Sequence, residues 1–204
     1  ITLGADAKIH SSTGTQTISG TINGEHALTI TGTDNFTISG IVGGSAALDS
    51  VAATITNSGT FTVGANITTS GNQTYTAAGG IVTSGARTFT SNSGTVNFVS
   101  ALSGNNNVTV TGNADIDGAI TDIAVLSISG TSNIGADITT SGTQTYTGAV
   151  TLSADVTLTS SNDILTFSST INSDSSARDL TLAPGSGNIV ISNTCLLYTS
   201  PSPR

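Results

Sequence analysis

The chain has 204 residues, of which only 8% are charged and 4% aromatic, with 24 glycines, one cysteine and neither methionine nor tryptophan. Its net charge of −8 reflects a scarcity of bases, since Lys8, Arg87 and Arg178 are the only basic side chains before Arg204. Nucleic acids and anionic membrane surfaces are recognised through Lys/Arg footprints, and no run approaches the roughly 18 apolar residues of a spanning helix, so this segment is read as binding no nucleic acid and inserting into no membrane.

Ordinary domains carry about 25% charged residues. A chain this poor in charge and rich in Gly, Ser and Thr resembles a flexible linker in composition. Against that, Val, Ile and Leu recur throughout and mean hydropathy is +0.19. Disordered chains combine low hydrophobicity with high net charge, so the pattern is that of a folded chain.

The first element, Gly4-Ala5-Asp6 followed by Gly14-Thr15-Gln16-Thr17, is a degraded copy of a motif that returns twice in full. The full copies are Gly64-Ala65-Asn66-Ile67-Thr68-Thr69-Ser70-Gly71-Asn72-Gln73-Thr74-Tyr75-Thr76 and Gly135-Ala136-Asp137-Ile138-Thr139-Thr140-Ser141-Gly142-Thr143-Gln144-Thr145-Tyr146-Thr147. They differ only at Asn66/Asp137 and Asn72/Thr143. Such self-similarity marks a repeat array, in which units contact their neighbours and no single core closes. Residues 1–193 are thus read as one solenoid region in three unequal blocks, 3–62, 63–133 and 134–193.

Along the blocks, residues 27–31, 60–63, 87–90, 107–111 and 155–159 alternate Thr or Ser with Ile, Val, Leu, Phe or Tyr. Period-two alternation predicts half-buried strands, and these residue types favour a pleated surface. Between the runs stand turn pairs such as Asn23-Gly24, Gly43-Gly44, Ser70-Gly71, Gly104-Asn105 and Ser141-Gly142, which supply the positive-φ positions of turns. No window has a helical stripe. The class is all β.

Hairpin sandwiches and barrels guard their edges with Lys, Pro or inward charge, and this chain has almost none. A parallel β-helix leaves only two open ends and fills a narrow interior with small aliphatics, which suits so few aromatics. At roughly 20 to 25 residues per coil the native part makes about eight or nine coils. Stacked at ~4.8 Å, they form a rod about 40 Å long.

The full motif, together with residues 148–159 and 41–48, resembles the repeat regions of large bacterial surface proteins of the filamentous-haemagglutinin type. The resemblance covers residues 3–193. It implies a right-handed parallel β-helix, an exported and cysteine-poor stalk, and a place at the cell surface or outside the cell. It also implies adhesive partners: glycans, matrix, other cells, and neighbouring repeats of the same chain. The chain starts at Ile1 within a repeat, so a missing N-terminus is expected to account for the absence of a signal peptide. The last residues, Cys195 to Arg204, hold the only Cys and two of the three Pro. This stretch resembles a translated sequencing-library adaptor, and residues 194–204 are read as a non-native, disordered tail.

Chemistry is sparse. Asp115, Asp117 and Asp122 form the densest acidic cluster, and Asp-x-Asp-Gly hints at calcium, which wants several oxygen ligands. An EF-hand counted from Asp115 would meet Ala119 and Leu126 where ligands are needed, so the trio is read as a solvated turn and only a weak metal candidate. The same trio is the one place to look for the paired carboxylates of a polysaccharide-cleaving β-helix. His10 and His26 have no Gly-x-Ser-x-Gly elbow to serve. Asp6, Asn66 and Asp137 share one repeat position, read as turn capping.

The remaining candidate is a binding face of Thr-x-Thr pairs, above all Thr74, Thr76, Thr88, Thr90, Thr145, Thr147, Thr157 and Thr159. Such pairs are unevenly spaced, close between Thr54/Thr56 and Thr60/Thr62 and far apart between Thr109/Thr111 and Thr145/Thr147, which predicts no uninterrupted rank. The expectation is a structural and adhesive stalk segment with no catalysis and no cofactor. The alternatives are a β-helical polysaccharide lyase or hydrolase, and a Thr-rich ice- or surface-binding solenoid.

Overall fold

The alternating runs all form strands, to within one residue at the start, and more than half of the strands have three residues, many with an apolar or amide side chain inward, a hydroxyl outward and an apolar side chain inward. Phe36–Ile38, Phe61–Val63, Leu126–Ile128, Gln144–Tyr146 and Leu165–Phe167 all bury their first and third residues. The computed structural model describes residues 1–193 and contains 23 strands, with no helix among the described residues. The tail singled out in the sequence lies outside them.

The strands pair in parallel, each with the strand one coil earlier and one coil later, in a 14-stranded and a nine-stranded sheet. The larger sheet bends across a corner. Its longest strand, Arg87–Phe98, pairs through residues 89–91 with Ile67–Thr69 and through residues 96–98 with Gln73–Ala77. Every coil therefore runs over three faces. The first face carries Ile67–Thr69, Leu126–Ile128, Gln144–Tyr146 and Leu165–Phe167. The second carries Ala27–Gly32, Ser50–Ile55, Gln73–Ala77, Ser132–Ile134 and Val150–Leu152. The nine-stranded sheet is the third face, and it counts about nine coils. The parallel β-helix expected from composition is what this chain forms.

The core is a set of ladders along the solenoid axis. On the first face, Ile67, Phe89, Val110, Ile128, Tyr146 and Phe167 are register partners in succession, each at most 1% exposed. Aromatic residues stack in the core: Phe61 and Tyr75 lie 5.6 Å apart, Tyr75 and Phe98 5.9 Å, and Tyr146 and Phe167 5.1 Å with rings within 7° of parallel. Offset stacks of this kind add about 0.5–1.5 kcal/mol beyond area burial. Every Phe and both described Tyr are inside.

Coil length varies because corners absorb the difference. One coil closes between the register partners Val110 and Ile128, whereas the coil from Val42 to its partner Ile67 takes a longer stretch of chain. In that longer coil, Val42 and Leu48 bridge Ile67 and Thr69, so residues 43–47 bulge out opposite Thr68 alone. Other corners are pinched. Gly112, Gly130 and Gly148 stack between the first and second faces, where a Cβ on Gly130 would lie 2.5 Å from the Gly112 backbone.

Gly130→Ala is accordingly expected to cost about 1–3 kcal/mol through overpacking. Gly4→Ala, where a Cβ meets nothing within 4 Å, should leave the denaturant midpoint unchanged. Equal midpoints for the two variants would refute the close-packed corner.

Candidate functional site

The duplicated motif is a corner, and its chemistry is internal. Gln73 is fully buried. Its Nε2 donates to the Ile67 carbonyl (3.4 Å), Thr69 Oγ1 (3.1 Å) and the Thr90 carbonyl of the next coil (2.7 Å). Its Oε1 accepts from the Tyr75 hydroxyl at 2.8 Å. Gln144 repeats the arrangement with Ile138, Thr140, Thr159 and Tyr146 at 3.4, 3.2, 2.8 and 2.9 Å. Thr69 and Thr140 each donate to the glycine carbonyl two residues on, at 2.6 Å. Each buried amide thus has both ends satisfied, as burial of a polar group requires.

The copies do not lie on one face. Ile67–Thr69 is on the first face, whereas Ile138–Thr140 is on the third. Between the two, the chain completes three coils and passes on across two further faces. The degraded copy at Asp6 leads into Ala7–Ser11, on the second face. Each copy ends a loop with an Asx that reaches the following coil. Asp6 Oδ1 accepts from Ala27 N–H (3.0 Å), Asn66 Oδ1 from Thr88 N–H (3.0 Å), and Asp137 Oδ1 from Thr157 N–H (2.7 Å). The capping role read from the repeat position is the one these side chains have. Asn35, Asn72, Asn113, Asp155 and Asn162 make the same inter-coil bond elsewhere.

The acidic trio does not converge on a common centre. Asp115 lies outward on the second face, between Asn97 and Asn133, whose amides donate to its Oδ2 (3.2 Å) and Oδ1 (2.8 Å). Asp117 is exposed just past the end of that strand. Asp122 sits in the third-face strand Ile120–Ile123 at φ +53°, where the register slips by one residue, a conformation Asp tolerates better than most residues. Among the described residues no group of three His, Cys, Asp or Glu is placed to hold a metal. A groove of about 220 Å³ runs beside Asp115, lined by Thr95, Asn113, Thr131 and Asn133 among others. His10 Nδ1 lies 2.9 Å from Thr31 Oγ1, and His26 Nδ1 3.7 Å from Asp6; neither stands beside the trio in sequence or coil.

The Thr-x-Thr residues divide among the faces. Thr74 and Thr76 are on the second face and Thr157 and Thr159 on the third. Thr88, Thr90, Thr145 and Thr147 are on the first, and there they belong to an array. Thr88, Thr109, Ser127, Thr145 and Thr166 are successive register partners. Thr68, Thr90 and Thr111 form a second rank beside it. Ser129, Thr147 and Ser168 continue that rank, their N–H groups donating to Val110, Ile128 and Tyr146 carbonyls at 3.0, 3.0 and 2.9 Å. The uneven spacing of Thr pairs leads to the opposite expectation because it mixes three faces. It also passes over Ser127, Ser129, Thr166 and Ser168; a search for any hydroxyl-x-hydroxyl recurring once per coil finds all five rungs. On the other faces the ranks are broken, by Ala52, Asn97 and Asp115 on the second and Val82 on the third.

Comparison with family models, with curated proteins and with solved structures finds no match to this chain.

Leu at position 73 or 144 removes the amide and strands a buried phenol and a carbonyl. Leaving buried groups unsatisfied costs about 1–3 kcal/mol, so Gln73→Leu and Gln144→Leu should each lower the unfolding midpoint by that equivalent. Tyr146→Phe, which orphans only the Gln144 Oε1, should cost less. Burial pushes the Tyr75 and Tyr146 phenols well above the usual value, because desolvation disfavours the phenolate. The unfolded chain ionises near pH ~10, so this contribution is complete below that pH and is lost as pH rises beyond it. In a Tyr198→Phe background, phenolate absorbance should appear only together with loss of the strand circular-dichroism signal.

Proposed function

We propose that this chain is a structural and adhesive stalk segment of a large exported bacterial surface protein, and that it carries out no catalysis. The observation that supports the reading best is the uninterrupted core ladder: about nine coils stack without a break, each adding a layer of backbone bonds and buried aliphatics to the next. Stability in such an array is a sum of repeat and neighbour terms, so length is extended by adding coils and stiffness is kept. The outside is hydroxyl-rich and poor in charge, suited to neutral, hydroxylated surfaces such as glycans or matrix.

The acidic side chains agree with this reading in where they lie. Asp6, Asp137 and Asp155 hold the next coil, Asp115 is engaged by two amides, and Asp174 pairs with Arg178 at 2.8 Å. That arginine holds the Asp174 carboxyl below its ordinary value. These carboxylates serve the scaffold.

Sequencing through the source DNA on both sides tests the reading. The expected result is a frame that continues into further coils of the same pattern and into a secretion domain or membrane barrel, with residues 195–204 absent from the genomic sequence. A short frame closing on a capped solenoid with additional converging carboxylates would reopen the polysaccharide-cleaving alternative.

A further inference from the structure

The first face from Thr88 to Ser168 is a regular two-dimensional lattice of hydroxyls. Ten side chains, Thr or Ser at every position, occupy two adjacent ranks over five coils: Thr88/Thr90, Thr109/Thr111, Ser127/Ser129, Thr145/Thr147 and Thr166/Ser168. Along the axis the rungs repeat at about 4.8 Å, the spacing of paired strands. Across the strand, residues two apart on one face are separated by about 6.6 Å. All ten are exposed or half-exposed.

Among the described residues, only one of the ten hydroxyls enters an intramolecular hydrogen bond, Ser129 Oγ accepting from Gly112 N–H at 3.0 Å. On the second face, by contrast, the outward Asn97 and Asn133 both donate their amide N–H groups to Asp115. The lattice also contains no charge; beneath it lie the buried Phe89, Val110, Ile128 and Tyr146, and Arg87 at its first rung turns its guanidinium to the Val63, Ser84 and Ala86 carbonyls at the corner. Its rungs are pinned from within, and seven of the ten side chains are threonines, β-branched and stiff at χ1. Hydroxyls and methyls are thereby held in place before any partner arrives.

We propose that this face binds ice. An ionic mineral would call for charge, which the lattice lacks. Crystalline polysaccharides are gripped largely by aromatic platforms stacked on sugar rings, and every described aromatic side chain is in the core. An extended array of fixed hydroxyls and methyls, at strand spacings commensurate with the oxygen repeats of an ice crystal face, orders water in the pattern of the lattice it meets. Binding gains from repetition, because each rung engages only after its neighbour has already placed it. The proposal needs only this face and does not depend on the stalk reading.

The test uses the full chain, labelled fluorescently, in a slowly growing ice ball and in measurements of thermal hysteresis. The wild-type chain should enter the ice and depress the freezing point below the melting point. Thr109→Lys/Thr145→Lys should be excluded from ice, whereas Thr29→Lys/Thr151→Lys, equivalent outward positions on the second face, should enter like wild type. Should the first pair fail to fold by circular dichroism, Thr111→Lys/Thr147→Lys, at exposed positions, makes the same comparison. Exclusion of the wild-type chain from ice overturns the proposal, as does equal loss from substitutions on the two faces. Retention on crystalline cellulose or chitin with exclusion from ice overturns it in favour of a carbohydrate surface.

Discussion

Everything in this molecule depends on coil-to-coil backbone pairing in register. Each three-residue strand is too short to be stable by itself or as one of a pair, and a side chain two residues from the next corner has little chance to bury more than one or two neighbours. Parallel stacking converts these weak units into long ladders. The N–H and C=O groups of one coil meet those of the next, and inward residues at the same rung position meet end on. Corner bonds follow the same direction: Asn66 reaches Thr88, Asn72 reaches Thr95 and Asn113 reaches Thr131, each one coil ahead. A side chain that caps a neighbouring coil is satisfied only if that neighbour is present and in register, so capping and register reinforce one another.

That constraint explains how one motif occupies three faces. What Gln73 and Gln144 require is local: a carbonyl and a hydroxyl on the strand just left, a tyrosine two residues on, and a carbonyl one coil ahead. Any corner supplies these if the strands before and after it are in the right phase. The faces are interchangeable to the motif because each is a parallel ladder with the same inward-outward-inward pattern. The interval from one copy of the motif to the other therefore need not be a whole number of coils. Each copy has only to enter a corner in the right strand phase, and the flanking corners lengthen or shorten to meet it.

The same geometry explains why the class was legible in the sequence and the surface was not. Alternation in residues 27–31 and 107–111, the turn pairs and the lack of guarded edges were enough for a parallel β-helix, since all three are local or compositional. The capping role of Asp6, Asn66 and Asp137 was legible because it recurs in the motif itself. The coil register was not. Coils of unequal length hide the periodicity, because the variation sits in corners such as residues 43–47 and 91–94, where nothing in the core pattern changes. Pairs such as Thr74/Thr76 and Thr145/Thr147 look equivalent in the motif yet face different directions. Asp115 and Asp117, two residues apart, share a strand face on periodicity alone, but the strand ends at Ile116.

Where the hydroxyl lattice begins follows from the same geometry. On the first face the early coils have no strand at all: Ile22 and Val42 make single bridges, and residues 43–47 bulge opposite Thr68. No flat rank can form there, whatever the residues. From Arg87 onward the first-face strands pair without interruption at residues 87–90, 108–111, 126–128, 144–146, 165–167 and 189–191, and the rungs follow one another at nearly even steps along the chain. Over the first five of these, and no others, both outward positions are hydroxyls on every rung; the sixth places Val190 opposite Thr166. On the second face, where pairing is equally continuous, the outward rank passes from Thr29 to Ala52, Thr74, Asn97, Asp115 and Asn133. Strand formation alone accepts any of these residues. Uniform hydroxyls on one regular face, beside a mixed rank on another, point to a requirement that the fold itself does not impose.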